Sequence, residues 1–305
     1  MTQDYSHLTG WCNKPKEVEG VMQGLPMPVF EDVYGNLKGT GKGKLALLYT
    51  YIQKLHPNFV QVQSIGDCTS FSMAHCIDIL KAVEIELLGD LEQFINITAT
   101  EFGYGGSRVL IGGGRLGSGE GSIGAWIAEL INTYGSVDRD KYEDVDLTIY
   151  SGTRAREWGY SGVPKLLLPY AKKHIVKTVS QVRSYSAARD AIANGYPISV
   201  CSNVGFNNIR DKHGMLRPSG TWNHAQAIIA VDDAYTIPSC LIQNSWPYSW
   251  VSGPQRYGDE PQGSYWCSAD TIDRMLAQGD SFVYSNFIGY EIQDLNLKIV
   301  YGKLC

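Results

Sequence analysis

Gln61-Val62-Gln63-Ser64-Ile65-Gly66-Asp67-Cys68-Thr69-Ser70-Phe71-Ser72 is the stretch on which the reading of the whole chain turns. A Gly-Asp turn leads into helical spacing: Phe71, Ala74, Ile77 and Leu80 recur among polar positions, and the pattern runs to Leu88, before Gly89-Asp90. Cys68 is therefore expected at a helix N-terminus. The unsatisfied amides and positive dipole end there favour a thiolate and can lower a cysteine pKa from about 8.5 toward 3.5–7.5. Far downstream stand His224, within Thr221-Trp222-Asn223-His224-Ala225, and Asn244, within Gln243-Asn244-Ser245-Trp246. A thiol nucleophile, an imidazole base and an amide to orient the ring form a set suited to acyl transfer.

The 305 residues suffice for one large domain or two packed subdomains. With 44% hydrophobic and 19% charged residues, wholesale disorder is excluded. The net charge of −5 and the dispersed Lys and Arg residues give no basic field for phosphates, so no nucleic acid is expected as a direct ligand. No apolar run approaches the roughly 18 residues needed to span a bilayer, and Met1 to Trp11 has no basic flank followed by an apolar core. The expectation is a soluble protein made in the cytoplasm, with no membrane partner.

Seven widely spaced cysteines without a CxxC or Cys/His cluster support neither a disulfide framework nor a metal site. Cys76, Cys201 and Cys240 read as small buried apolar groups. Gly39-Thr40-Gly41-Lys42-Gly43-Lys44 lacks the glycine five positions upstream that a phosphate loop requires, and reads as a basic turn. His75, a rival base, sits seven helical residues from Cys68, about 10 Å along the axis, and reads as packed. Asp232-Asp233 follows an apolar strand and reads as a solvated turn.

Residues 1–60 read as an extension wrapped on the main body, with a short helical pattern around Leu45-Ala46-Leu47-Leu48-Tyr49. Residues 61–175 form a helical unit, and within it 103–124 is so rich in glycine that irregular, exposed backbone is expected. A helix over Ala125–Ile131 follows. From 176 to 290 the chain turns to short β-like runs near 175–179, 198–201, 225–231, 241–243 and 281–284, with one helix over Ala187–Ile192; 291–305 is a tail. Helices first and a mostly antiparallel sheet second make an α+β fold.

These motifs resemble the papain-like cysteine peptidases over about residues 61–290. Gly66-Asp67-Cys68-Thr69-Ser70-Phe71 is similar to the family's nucleophile motif. Gly119-Glu120-Gly121 before Gly124-Ala125-Trp126 resembles its glycine-rich substrate loop. Gly195-Tyr196-Pro197-Ile198-Ser199-Val200, Asn223-His224-Ala225, Asn244-Ser245-Trp246 and Gly263-Ser264-Tyr265-Trp266 resemble the strand and triad motifs that follow. The run from Thr100-Glu101-Phe102-Gly103 to Gly112-Gly113-Gly114-Arg115 further resembles papain-like proteins encoded among bacteriophage virion genes. His224 and Asn244 lie beyond the roughly 130–150 residues from the cysteine typical of the family, a difference that an insertion absorbs.

The resemblance implies a helical subdomain carrying the cysteine helix, packed on an antiparallel barrel-like subdomain. It implies Cys68 as nucleophile, His224 as base and Asn244 as ring orienter, with Trp246 shielding that hydrogen bond. Gln61 or Gln63 would serve the oxyanion, because the position usually occupied by glutamine is Val62. Gly119, Gly121, Trp222 and Trp246 would meet a peptide or protein substrate. Thr69 replaces the family's aromatic residue after the nucleophile, and Pro247 the glycine after Asn-Ser-Trp. No cofactor is implied. The function expected is a cysteine peptidase or amidase. The competing expectation is a structural phage virion protein that keeps the fold as a scaffold, contacts capsid or tail proteins, and is made in the host cytoplasm.

Overall fold

The computed structural model describes residues 4–88, 96–293 and 295; the expected stop at Gly89-Asp90 and most of the 291–305 tail lie outside them. Seven strands form one antiparallel sheet: β1 (Leu45–Leu47), β2 (Thr178–Gln181), β3 (Ile198–Phe206), β4 (Pro218–Asp232), β5 (Ser239–Gln243), β6 (Ser264–Ser268) and β7 (Phe282–Ser285). Their order is β2-β7-β3-β4-β5-β6, with β1 paired to the far end of β4 through Leu45↔Asp232 and Leu47↔Ala230. The sheet is open rather than a closed barrel, and helices precede it, so the chain is α+β as expected.

Residues 45–49 correct the expected helix. Leu45, Ala46 and Leu47 are all buried and form β1, and the helix begins only at Tyr49 (Tyr49–Leu55). A short unbroken apolar run carries no period to separate strand from helix, and the open edge of β4 decides it. The sheet therefore starts inside the segment expected to be only an extension.

The helix that begins at the nucleophile, Cys68–Leu88, lies between β3 and β4 on one side and the helices Thr100–Gly105 and Gly124–Thr133 on the other. Being covered all round, it buries even its polar positions; most of these side chains are hydrogen-bonded, while Thr69 Oγ1 has no partner among the described residues. Ser72 Oγ donates to Gln226 O, and Asp78 accepts from the amide and hydroxyl of Thr98. His75 Nε2 accepts the amide of Gln61, which confirms this histidine as packed. The glycine-rich region is also more regular than expected. Thr100–Gly105 is α-helical and Gly106–Ile111 a π-helical turn, and irregular backbone begins only at Gly112. Tight packing overrides propensity here: a Cβ on Gly105 or Gly106 would strike Trp158 or Leu130.

Candidate active site

The register Ala227↔Gln243 carries β4 beyond the end of β5, so His224 on β4 and the residues just past β5 meet at one corner of the sheet. There His224 Nε2 lies 2.8 Å from Asn244 Oδ1. Trp246 packs on the imidazole, ring centroids 4.8 Å apart, and covers the pair. The bulge between Ser202 and Val204 falls beside His224, opposite Ser202, where it re-aims the strand. Cys68, at the helix N-terminus, brings its Sγ to 3.4 Å from the amide of Ala225, the residue after His224. His224 Nδ1 is buried without a hydrogen-bond partner among the described residues.

The two glutamines part company. Gln63 lies beside this corner: its amide donates to Ser245 O, its Oε1 accepts from Ser245 Oγ at 2.6 Å, and its Nε2 donates to Ile65 O and Leu8 O. Gln61 turns away. Its Nε2 donates to Thr98 O and its Oε1 accepts from Arg139, which in turn pairs with fully buried Glu101. Sequence position does not separate the two, and only their neighbours do.

The glycine-rich loop is held from behind. Arg108, buried and stacked on Tyr104, donates to the carbonyls of Gly117, Gly121 and Gly159, and Gly121 donates its amide to Tyr104 Oη. Both backbone groups of Gly121 are thereby consumed, Gly119 is exposed on the loop, and the backbone edge presented to the cleft is that of Ser122. Sequence reasoning missed Arg108, Ser122 and Glu120. Glu120 accepts the amide of Gly66 at 2.6 Å and pairs with Arg156, joining the loop to the turn before the nucleophile.

The chain's own N-terminal segment lies along this cleft. Tyr5 stacks on Trp246 at 5.2 Å, Leu8 O accepts from Gln63 Nε2, and the amides of Gly10 and Trp11 both donate to Asn223 O at 3.0 Å. Ser122 then donates to Gly10 O and accepts from the Cys12 amide, each at 2.8 Å. Gly10 passes so close to Gly66 that a Cβ there would overlap the Gly66 carbonyl. Beside this strap a cavity of about 620 Å³ stays open between Tyr5, Trp222, Trp246, Trp250 and Asn207.

Covering the site sets its protonation. Burial pushes the Cys68 thiol up to about 12, against the opposing pull of the Ala225 amide, and pushes His224 down to about 4 despite its bond to Asn244. The expected thiolate-favouring shift is thus reversed in this closed form. Desolvation outweighs the helix dipole, and the pair rests as neutral thiol and neutral imidazole. Among the described residues no group of three or more His, Cys, Asp or Glu side chains could hold a metal ion. No helix among them is long and apolar enough to cross a membrane.

No protein-family model and no curated protein matches the chain. Solved structures do share its fold. Xylellain, a cysteine protease from Xylella fastidiosa, superposes with a TM-score of 0.59 at 16% identity, over 93% of this chain and 98% of that one. A procathepsin B from Trypanosoma congolense gives 0.54 at 11% identity, over 93% and 87% of the two chains. The digestive procathepsin L 3 of Tenebrio molitor larval midgut gives 0.53 at 12%, over 92% and 77%.

Proposed function

We propose that this chain, which has the fold of papain-like cysteine proteases, is a latent cysteine peptidase or amidase acting on peptide or protein substrates. One observation carries the reading: Gln63 Nε2 already donates to a peptide carbonyl, that of Leu8, beside a thiol and a His224–Asn244 pair whose free ring nitrogen has no other partner. With the strap lifted, water re-enters, the desolvation that holds both groups neutral is relieved, and the proton passes from Cys68 Sγ to His224 Nδ1. The thiolate attacks the substrate carbonyl carbon, Gln63 Nε2 stabilises the developing oxyanion, and His224 returns the proton to the leaving amine. Water then releases the acyl group from sulfur. Asn244 holds the ring, and Trp222 and Trp246 wall the leaving-group side.

Gly10→Ala tests this in the full chain, because its Cβ cannot fit beside Gly66 and must lift the strap. Alkylation of Cys68 near neutral pH is expected to accelerate at least tenfold in Gly10→Ala, with the gain lost in Gly10→Ala/His224→Ala and with peptide cleavage appearing only while Cys68 is intact. An alkylation rate in Gly10→Ala equal to that of an ordinary exposed thiol and indifferent to His224 would remove the peptidase reading. The occluded, neutral pair favours a second reading, a structural phage virion protein that uses the fold as a scaffold. That reading expects no cleavage in either form and co-purification with particles at fixed stoichiometry.

A further inference from the structure

Tyr150 belongs to no motif read in the sequence, yet its hydroxyl reaches the turn that joins Gln63 to Cys68. Its Oη donates to Asp67 Oδ2 at 2.9 Å and accepts from the Ser64 amide at 3.3 Å and from Ser64 Oγ at 3.4 Å. The one donor and both acceptor sites of the phenol are thus engaged at the two ends of the turn 64–67. Asp67 is fully buried, and among the described residues Tyr150 is the only side chain that donates to it. Inside the turn, Ile65 O accepts both Gln63 Nε2 at 2.7 Å and the Asp67 amide at 2.9 Å. The carbonyl that aims the oxyanion donor is therefore shared with the residue before the nucleophile.

The phenol is itself anchored on both sides. Arg154 donates to Ile149 O, and the Ser151 amide donates to Glu101 Oε1 at 2.9 Å. Glu101 is fully buried and pairs with Arg139 and Arg154. The ring meets Phe71 edge-on at 5.1 Å and lies 5.7 Å from the Arg139 guanidinium. Gly152 passes so near the turn that a Cβ there would strike Ser64 Oγ.

We propose that Tyr150 is a positioning residue of the peptidase reaction: by tying Ser64 to Asp67 it fixes the turn that sets where Gln63 Nε2 stands relative to Cys68. The inference rests on the peptidase reading and adds to it a residue that touches neither substrate nor reacting atoms. Ser245 holds the Oε1 and main chain of Gln63, but Nε2 has only Leu8 O and Ile65 O. Leu8 leaves with the strap, so in the opened site Ile65 alone of these aims the donor. Aim matters, because the donor must meet the oxyanion rather than the ground-state carbonyl. Cys68 is placed independently, by the helix it starts and by the Ala225 amide at 3.4 Å.

In the strap-released Gly10→Ala background, Tyr150→Phe keeps the ring and removes the hydroxyl. A fall in kcat of about 10–10²-fold is expected, as for a catalytic group displaced by about 1 Å. KM and the His224-dependent alkylation rate of Cys68 should stay within about twofold, since ground-state binding and the Cys-His pair are untouched. Adding Tyr150→Phe to Gln63→Ala should cost nothing further, because the donor it aims is already gone. An unchanged kcat, or losses that multiply as for an unrelated structural defect, overturn the inference. Should Tyr150→Phe not fold, Tyr150→Phe/Asp67→Asn makes the same test without leaving a buried carboxyl lacking its donor. Amide exchange in the closed, full-length chain needs no cleavage: the Ser64 and Asp67 amides should exchange at least about tenfold faster in Tyr150→Phe, and equal rates overturn the inference. No cleavage by Gly10→Ala beside faster exchange in Tyr150→Phe overturns the peptidase reading and not the clamp.

Discussion

Gln61 and Gln63 stand one residue apart, yet their neighbours assign them different work. Gln63 bridges Ser245 and the carbonyl now in the cleft, while Gln61 is clamped between Thr98 and the Arg139–Glu101 pair. In the strap-released Gly10→Ala background, Gln63→Ala should lower kcat by about 10²–10³ through loss of an oxyanion donor. Gln61→Ala should leave kcat nearly unchanged and lower stability by about 1–3 kcal/mol, because Arg139 loses a buried acceptor. Steady-state kinetics with denaturant melts separate the two, and equal losses of kcat would withdraw the assignment to Gln63. The sequence left this pair open because both flank the same position, and register along an irregular segment is not encoded in spacing.

Among the elements, the nucleophile helix and β4 were legible because long periodic or apolar runs overdetermine them. The Ala187–Ile192 pattern likewise appears as a helix, Tyr185–Ile192, with Ser184 accepting the Ala187 amide at its start. β1 and the glycine-bearing helix Thr100–Gly105 were not legible, because a sheet edge and a crowded interior overrule local preference there. The loop after that helix depends on one buried cation. Arg108→Met would leave the carbonyls of Gly117, Gly121 and Gly159 without their donor, so a loss of about 2–4 kcal/mol in urea melts is expected. An added protease should then cut within residues 112–120. A wild-type midpoint with an uncut loop would show that the loop needs no such clamp.

At the scale of the whole molecule, burial writes a pH signature in two opposed parts. His75 and His224 are pushed down to about 4, so the stability they contribute is present above about 6.5 and lost as pH falls through 4. Asp78 and Asp280 are pushed up to about 7 by burial, so their contribution is present below 3.8 and lost as pH rises through 7. The two parts oppose each other between about pH 4 and 7. Asp280→Asn removes one carboxyl from the second part, and its stability relative to wild type should climb as pH rises across that window. Denaturant midpoints at half-unit pH steps check this, and a difference that stays flat or falls with pH would mean that the hydrogen bonds Asp280 accepts from Trp11 Nε1 and the Gly124 and Ala125 amides outweigh its desolvation.

Helical periods in the first half of the chain and short apolar β-like runs in the second were enough to indicate an α+β fold, because those patterns are local in the chain and survive any packing, and the motifs around Cys68, His224 and Asn244 marked the candidates for one cleft. The occupancy and charge of that cleft were decided only by tertiary structure. Tyr5 on Trp246, Leu8 at Gln63, Gly10 against Gly66 and Trp11 on Asp280 are contacts between segments far apart in sequence. Through them a helix-end cysteine that should favour its thiolate becomes a buried neutral thiol, since removing water from a charge outweighs the dipole that attracts it.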